Sequence, residues 1–384
     1  MTSSSTSPSG TSAPEQPTQQ RPVRFGIIGA GFIARWFMEA AAVLPQVEVV
    51  AVTSAHAERA AAFAAEHGIG ASYASLPEML AAGARGGATP LDVVYVGSPN
   101  AMHAEQTITA LEAGFHVLVE KPFALRTGQA EAMVAAARRA DRFLMEGWLP
   151  AFEPGTAVLR ETLSRLGTGE AGPHRALLVK EQYSSRMDRF RAGELPPAFD
   201  PALGGGSLMD LGVYPVSLAI HLFGEPARVH ATGRLLRSGA DSHGSVVLEY
   251  DRLADGTPTD LEVVCLHSKT SSNGTLSEIA ADRTVLTLDD CQWPRELALT
   301  TPDGVERLAV DTAWPAGAVV TEAAGEPPVL ARELAEVARL VRSGARESEL
   351  HPLAASLAGV RVLHQARAQV GVRFPGDAGA TMGA

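Results

Sequence analysis

The segment Gly204-Gly205-Gly206-Ser207-Leu208-Met209-Asp210-Leu211-Gly212-Val213-Tyr214 sets a carboxylate and a phenol four residues apart. On a helix that spacing places both on one face, where they can hold and pass a proton. The same residues admit a structural role. Ser207-x-x-Asp210 has the form of a capping box, and Tyr214 has the form of a core aromatic. Far upstream, Glu120-Lys121-Pro122 ends an apolar run, so an ammonium stands at the tip of a strand. A lysine there can hydrogen-bond a hydroxyl and favour the anion of a neighbouring acid. It can also be a surface lysine after a strand.

A third constellation is Gly29-Ala30-Gly31-Phe32-Ile33-Ala34, a G-x-G-x-x-A turn. Gly29 permits the tight turn, Gly31 lets a backbone approach a pyrophosphate, and small Ala34 lets helix pack on strand. The helix start then faces the phosphates, with Phe32 and Ile33 in its first turn. The alternative is a glycine-rich turn in a nucleotide-free domain. The next strand ends Val52-Thr53-Ser54-Ala55-His56, without the acidic residue that holds a ribose 2′-hydroxyl in NAD sites. Ser54, His56 and Arg59 suit a 2′-phosphate instead, so NADP is expected, with NAD as the alternative. Arg59 also reads as a solvated helix residue.

These residues need a scaffold, and the first half supplies one by alternation. Strands are expected at Arg24–Ile28, Val47–Val52, Leu91–Val96, Phe115–Val119 and Arg142–Met145. Helices are expected at Ile33–Leu44, Glu58–Glu66, Ala104–Ala113 and Gly128–Ala140. Apolar strands alternating with helices predict a doubly wound parallel sheet, a Rossmann fold with its ligand crevice at the carboxyl ends of the strands. From about Trp148 the pattern changes. Arg175–Tyr183, Arg228–Leu235, Ser245–Tyr250, Asp260–Leu266, Thr275–Ala280 and Val285–Leu288 read as a mostly antiparallel sheet, followed by helices at Val329–Arg342 and Leu353–Val370. The expected class is therefore α/β with a C-terminal α+β domain. The boundaries are a disordered tail over 1–22, a Rossmann domain over 23–147, a substrate and oligomerisation domain over 148–376, and a loose end over 377–384.

Ser98-Pro99-Asn100-Ala101-Met102-His103 follows the third strand and Glu120-Lys121-Pro122 the next. With the glycine turn, this pair resembles the glucose-fructose oxidoreductase/inositol dehydrogenase (Gfo/Idh/MocA) family. The resemblance implies that Ser98, Pro99, Asn100, His103 and Glu120 lie around the nicotinamide ribose and that Lys121 is catalytic. It also implies that Asp210 and Tyr214 serve as catalytic aspartate and acid/base. For His103 the residues alone equally allow packing at a helix start, and Glu120 could only hold Lys121. Tyrosine at 214, where several members carry histidine, is similar to the dihydrodiol dehydrogenase and NADP-dependent D-xylose dehydrogenase branch. Cys291-Gln292-Trp293-Pro294-Arg295-Glu296-Leu297 and Gly371-Val372-Arg373-Phe374-Pro375 are similar to it too, and the likeness spans most of 24–376. Where that branch has an arginine, this chain has Ala151. Arg186, Arg189 or Arg191 in the long loop 184–203 either replaces it or is simply solvated.

The implied activity is hydride transfer between NADP(H) and a hydroxyl or carbonyl of a sugar, cyclitol or diol. Tyr214 would exchange the proton, Lys121 would stabilise its phenolate, and Asp210 would orient substrate or hold Lys121. Two other readings use the same scaffold: a non-catalytic NADP or sugar sensor, and an NAD-assisted glycosidase. The formal charge of −11 argues against a nucleic-acid partner. Cys265 and Cys291 are too few for a disulfide framework or a thiolate metal site, and no metal is expected. Apolar runs fall short of the roughly 18–20 residues of a membrane helix. The N-terminal stretch has no signal-peptide pattern. A cytoplasmic location is the resulting expectation, and a homodimer is what the resemblance implies.

Overall fold

The computed structural model describes residues 21–167, 172–320 and 325–377. Six parallel strands form the first sheet: β1 (Val23–Ile28), β2 (Val47–Thr53), β3 (Ala71–Tyr73), β4 (Val93–Val96), β5 (His116–Glu120) and β6 (Leu144–Gly147). Their order is β3-β2-β1-β4-β5-β6, the doubly wound arrangement with its crevice where the order reverses between β1 and β4. The central strands are apolar throughout because helices cover both faces. All four residues of β4 are buried. The crossovers are α1 (Phe32–Ala42), α2 (Ala57–His67), α3 (Leu76–Gly83), α4 (His103–Glu112) and α5 (Thr127–Ala140). β3 and α3 were not expected from sequence. A three-residue edge strand with only partly buried side chains carries no periodic signal.

The chain then runs through α6 (Pro154–Arg165), β7 (Arg175–Glu181), α7 (Met187–Arg191) and α8 (Val213–Phe223). The second sheet is completed by β8 (Arg228–Leu235), β9 (Asp241–Glu249), β10 (Glu262–Ser268), β11 (Ser277–Ala281), β12 (Thr284–Leu288), β13 (Leu297–Thr301) and β14 (Gly304–Leu308). Its order is β14-β13-β12-β11-β7-β10-β9-β8, and only the β7–β10 pairing is parallel. The chain closes with α9 (Ala331–Ser343) and α10 (Leu353–Val370). α9 packs back on α1, β1 and β2, while α10 bridges α5 of the first sheet and β8 of the second. One continuous apolar core therefore joins the two sheets.

Two expectations change. The stretch Pro201–Phe223 is long and apolar enough to cross a membrane, although no such run stood out in the sequence, where glycines and Asp210 interrupt it. Here 83% of its apolar window is buried inside the protein, as in a core helix. The expected N-terminal tail lies outside the described residues except for Arg21 and Pro22, and Arg21 is fixed by an ion pair with Asp92 at 2.6 Å.

Candidate active site

The residues singled out at the carboxyl ends of the parallel strands come together because β1, β4 and β5 are neighbours. Gly29 follows β1 with φ +111, and a Cβ on it would sit 2.6 Å from the Gly97 carbonyl oxygen. Only glycine makes that turn without strain. Gly31 caps α1, and a Cβ there would meet nothing within 4 Å. The space it leaves faces the first-turn amides, the place for a pyrophosphate. Phe32 is 58% exposed beside this space, and Ile33 packs inward toward Gly97.

The 98–103 turn is held from within. Ser98 Oγ donates to Gln106 Oε1 at 2.6 Å, and Asn100 Nδ2 donates to the Gly204 carbonyl at 2.9 Å. His103 is fully buried, with Nδ1 2.9 Å from the Pro122 carbonyl and Nε2 3.0 Å from the Ser98 carbonyl. Burial depresses its pKa while the two carbonyls, both acceptors, pull the other way. As a neutral imidazole the ring has one N–H and donates to one of them, lying packed between the two turns. At the end of β2, Ser54 Oγ is engaged in its own turn with His56 O, at 2.6 Å. His56 and Arg59 are exposed, and the Arg59 side chain has no partner among the described residues.

Lys121 leaves β5 at a cis peptide with Pro122 and reaches across to the second sheet. Its Nζ donates to Asp210 Oδ1 at 3.0 Å and lies 5.1 Å from the Tyr214 ring centroid. Glu120, buried below it, accepts a hydrogen bond from the Tyr95 hydroxyl at 2.7 Å. Asp210 stands in a π-helical turn, Leu208–Gly212, that leads into α8. The capping-box reading fails here. Ser207 makes no cap and instead lies 3.0 Å from His267 Nδ1, which frees the Asp210 carboxylate to face the lysines. π turns recur at functional sites because the extra residue re-aims a side chain.

Two lysines complete the cluster that sequence reasoning did not single out. Lys269 Nζ ion-pairs with Asp210 Oδ2. Lys180 Nζ lies 5.8 Å from the Tyr214 ring and 5.1 Å from the Trp293 ring, and pairs with Asp290 at 2.7 Å. The signal was strand alternation. Ala176, Leu178 and Lys180 share the buried face of β7, and Val263, Cys265 and His267 that of β10, with Lys269 one step further. A cation in step with an inward-facing apolar row marks a group placed for a reason. The loop arginines do not enter the cluster. Arg189 pairs with Glu194, Arg191 lies over Tyr183, and Arg186 is exposed. Ala151 is buried in the core.

Exposure gives the cluster an orientation. The Asp210 side chain is 41% exposed, against 17% for Lys121 and 3% for Lys269, so the open side is at Asp210. Its surroundings push the Asp210 carboxyl up, but the charges of Lys121 and Lys269 outweigh them and hold it well below the usual carboxylate range. Burial would lower Lys121, yet Tyr214, Asp210 and Glu120 raise it, so it stays an ammonium. For Tyr214 burial is the larger effect. The phenol is pushed up to about 12, with Lys121 pulling the other way. This differs from the expectation that Lys121 alone brings the phenol toward neutrality. The arrangement offers a phenolic proton donor at neutral pH, a cation beside it, and a carboxylate acceptor open to a hydroxylated ligand.

Residues 23–148 match the oxidoreductase family with an NAD-binding Rossmann fold, GFO_IDH_MocA, and residues 181–268 match a GFO/IDH/MocA C-terminal domain. A scyllo-inositol 2-dehydrogenase (NADP(+)), IolU of Bacillus subtilis, is 36% identical over 356 residues, covering 92% of this chain and 99% of the relative. The human trans-1,2-dihydrobenzene-1,2-diol dehydrogenase is 30% identical over 359 residues, again 92% of this chain and 99% of the relative. The fold is also that of the 3-ketoreductase KijD10 of Actinomadura kijaniata, solved with NADP and TDP-benzene. That match has a TM-score of 0.73 at 24% identity, covering 91% of this chain and 98% of the other. The site and the fold thus define a nicotinamide-dependent oxidoreductase. This chain belongs to the Gfo/Idh/MocA family.

Proposed function

We propose that the protein interconverts a ring hydroxyl and its ketone on a cyclitol, sugar or diol, using NADP. The observation that carries this reading is the Lys121–Asp210–Tyr214 cluster lying against the crevice of the parallel sheet. Tyr214 gives its proton to the carbonyl oxygen in reduction and takes it back in oxidation. Lys121 offsets charge on the phenolate, and Asp210 accepts from a neighbouring substrate hydroxyl at the open side. The cofactor supplies the hydride chemistry, and the protein supplies alignment and proton transfer. Gly29, Gly31, Phe32 and Ile33 would hold its pyrophosphate, and Ser98, Pro99 and Asn100 its nicotinamide end. Arg59, exposed and without a partner among the described residues, supports a 2′-phosphate contact beside Ser54 and His56. His103 and Glu120 act on this site through the turns they hold.

A phenol near 12 remains a donor at neutral pH, so the reading expects carbonyl reduction to run readily near neutrality and oxidation to speed up as pH rises. The proposal includes a cytoplasmic homodimer. Leu276 and Val305, 55% and 68% exposed at the β11–β14 side, would belong to the self-association surface. The test is absorbance at the reduced-nicotinamide band. NADP and NAD would be screened against inositols, aldoses and dihydrodiols in one direction and their ketones in the other. Turnover with NADP and one of these classes is expected. Tight NADP binding with no turnover across the panel would overturn the reading in favour of a sensor. A tightly held cofactor with glycoside cleavage would overturn it in favour of a glycosidase.

A further inference from the structure

Asp210 is held by two lysines that reach it from opposite sides of the cleft. Lys121 takes Oδ1, and Lys269, 2% exposed, takes Oδ2. Lys269 is itself fixed. Its amide donates to the Ser242 carbonyl at 2.9 Å, and its carbonyl accepts from the Ser184 amide at 2.9 Å. Its ammonium lies 5.3 Å from the ring of Phe199, a member of the small apolar cluster Met187, Phe190 and Phe199 that fills the 184–203 loop. The loop thus covers Lys269 rather than supplying a cation of its own.

Charge makes this arrangement consequential. A lone Lys121–Asp210 pair is neutral toward Tyr214. Two ammonium groups sharing one carboxylate give that trio a net positive charge, which offsets the Glu120 carboxylate that also faces the phenol. Tyr214 is faced by Lys121 and Glu120 from β5, Asp210 from the π turn, and Lys180 from β7, whose charge Asp290 meets. Lys269 is faced by Asp210 and, from β9, by Asp241.

We propose that Lys269 is a positioning residue for the proton transfer: by occupying the second oxygen of Asp210, it keeps the charge of Lys121 directed at Tyr214. This rests on the oxidoreductase reading. Without Lys269, the whole carboxylate turns to Lys121, the pair becomes neutral, and the phenolate needed for oxidation loses support.

The test is the pH profile of oxidation with NADP and the substrate found in the screen. It would be measured for the wild type, Lys269→Met and Lys269→Arg, with NADP affinity and thermal midpoint alongside. In Lys269→Met the acid limb of kcat is expected to move up by about one pH unit, giving roughly 10-fold slower oxidation at neutral pH. NADP affinity should stay unchanged. Lys269→Arg, which keeps the charge, is expected to restore most of the profile. Superimposable profiles with only a lower thermal midpoint would overturn the proposal and leave Lys269 a structural residue. If Lys269→Met does not fold, Lys269→Gln, which keeps a donor toward Asp210 but no charge, is read against the same expectation. An inactive wild type would instead overturn the oxidoreductase reading, so the two failures are distinguishable.

Discussion

The parallel sheet and the antiparallel sheet contribute to the same cleft in different ways. From the parallel sheet come whole turns: Gly29–Ile33 after β1, Ser98–His103 after β4, and Glu120–Pro122 after β5. Each is contiguous in sequence, because a parallel strand delivers its carboxyl end and the following helix start to one rim. From the antiparallel sheet come single side chains, Lys180 on β7 and Lys269 just past β10, set two residues apart along neighbouring strands by register, with Lys180 opposite His267. Chemistry at parallel strand ends is carried by local turns, and chemistry on the antiparallel face by alternation and pairing. The Asp210–Tyr214 segment lies between these cases, a contiguous motif whose aim is set by a π turn.

The strongest way to break this comparison is to remove one partner from each region. Lys121→Ala and Tyr214→Phe are each expected to lower turnover by roughly 10²–10⁴, the usual worth of a proton-transfer group. Single-turnover rates with pre-bound NADPH would check it. Equal losses would tie the regions into one device. A loss confined to Tyr214→Phe would reduce Lys121 to a cofactor contact, and near-normal turnover in both would place the chemistry elsewhere.

A contrast inside one turn sharpens the parallel half. Gly29→Ala forces a side chain into left-handed backbone and against the Gly97 carbonyl, so it should destabilise the fold by about 1–3 kcal/mol and weaken NADP binding. Gly31→Ala meets open space in the protein. It should leave the urea midpoint nearly unchanged while weakening NADP binding by roughly 10-fold or more, because its methyl enters the pyrophosphate's place. Fluorescence titration with NADPH and urea unfolding separate the two. A Gly31→Ala variant that binds normally would remove the turn from the cofactor site.

Legibility followed the same division. The alternation from Arg24 to Met145 predicted the five long strands of the parallel sheet, because buried strands are continuous apolar runs. β3 was too short to register. In the second half, β13 and β14 escaped notice: β14 is an edge strand of polar, exposed residues, and β13 beside it buries only Leu297 and shows no alternation. All of β14 but Leu308 is exposed. α8 was visible only as a helix start after Ser207, since a helix buried nearly all round has no polar stripe. In the site, Lys121, Asp210 and Tyr214 stood in motifs, whereas Lys180 and Lys269 required strand register to be paired with them. The expected substitutes for the missing arginine, Arg186, Arg189 and Arg191, are directed to other partners or to solvent. A loop's sequence does not reveal which way its side chains point.

Arg59 probes the rim of the parallel half with a smaller effect. It stands exposed on α2, next to the end of β2. Arg59→Ala should reduce the preference for NADP over NAD by roughly 10-fold, the worth of one charge-assisted contact at an open site, and leave NAD affinity unchanged. Rising salt should narrow the difference between wild type and variant. An unchanged preference would make Arg59 a solvated helix residue and shift the 2′-phosphate contact to Ser54 and His56.

The two regions can also be compared by how they respond to acid. His116, on β5, is pushed down to about 4 by burial together with Arg142 and Arg346. His221, on α8 and 5.4 Å from the Trp148 ring, is pushed down to about 3, mainly by burial. Both are neutral in the folded protein, while an unfolded chain protonates them near 6.5. The unfolded state therefore gains protons first as pH falls. Stability from these groups is full above about 6.5 and declines below it, by up to about 1.4 kcal/mol per pH unit for each fully protonating group. The decline from His116 should end near pH 4, while that from His221 continues toward pH 3. His221→Gln should flatten the curve of urea midpoint against pH over the wider range, and His116→Gln over the narrower one. Curves parallel to the wild type would mean that water reaches these rings and that neither region resists their protonation.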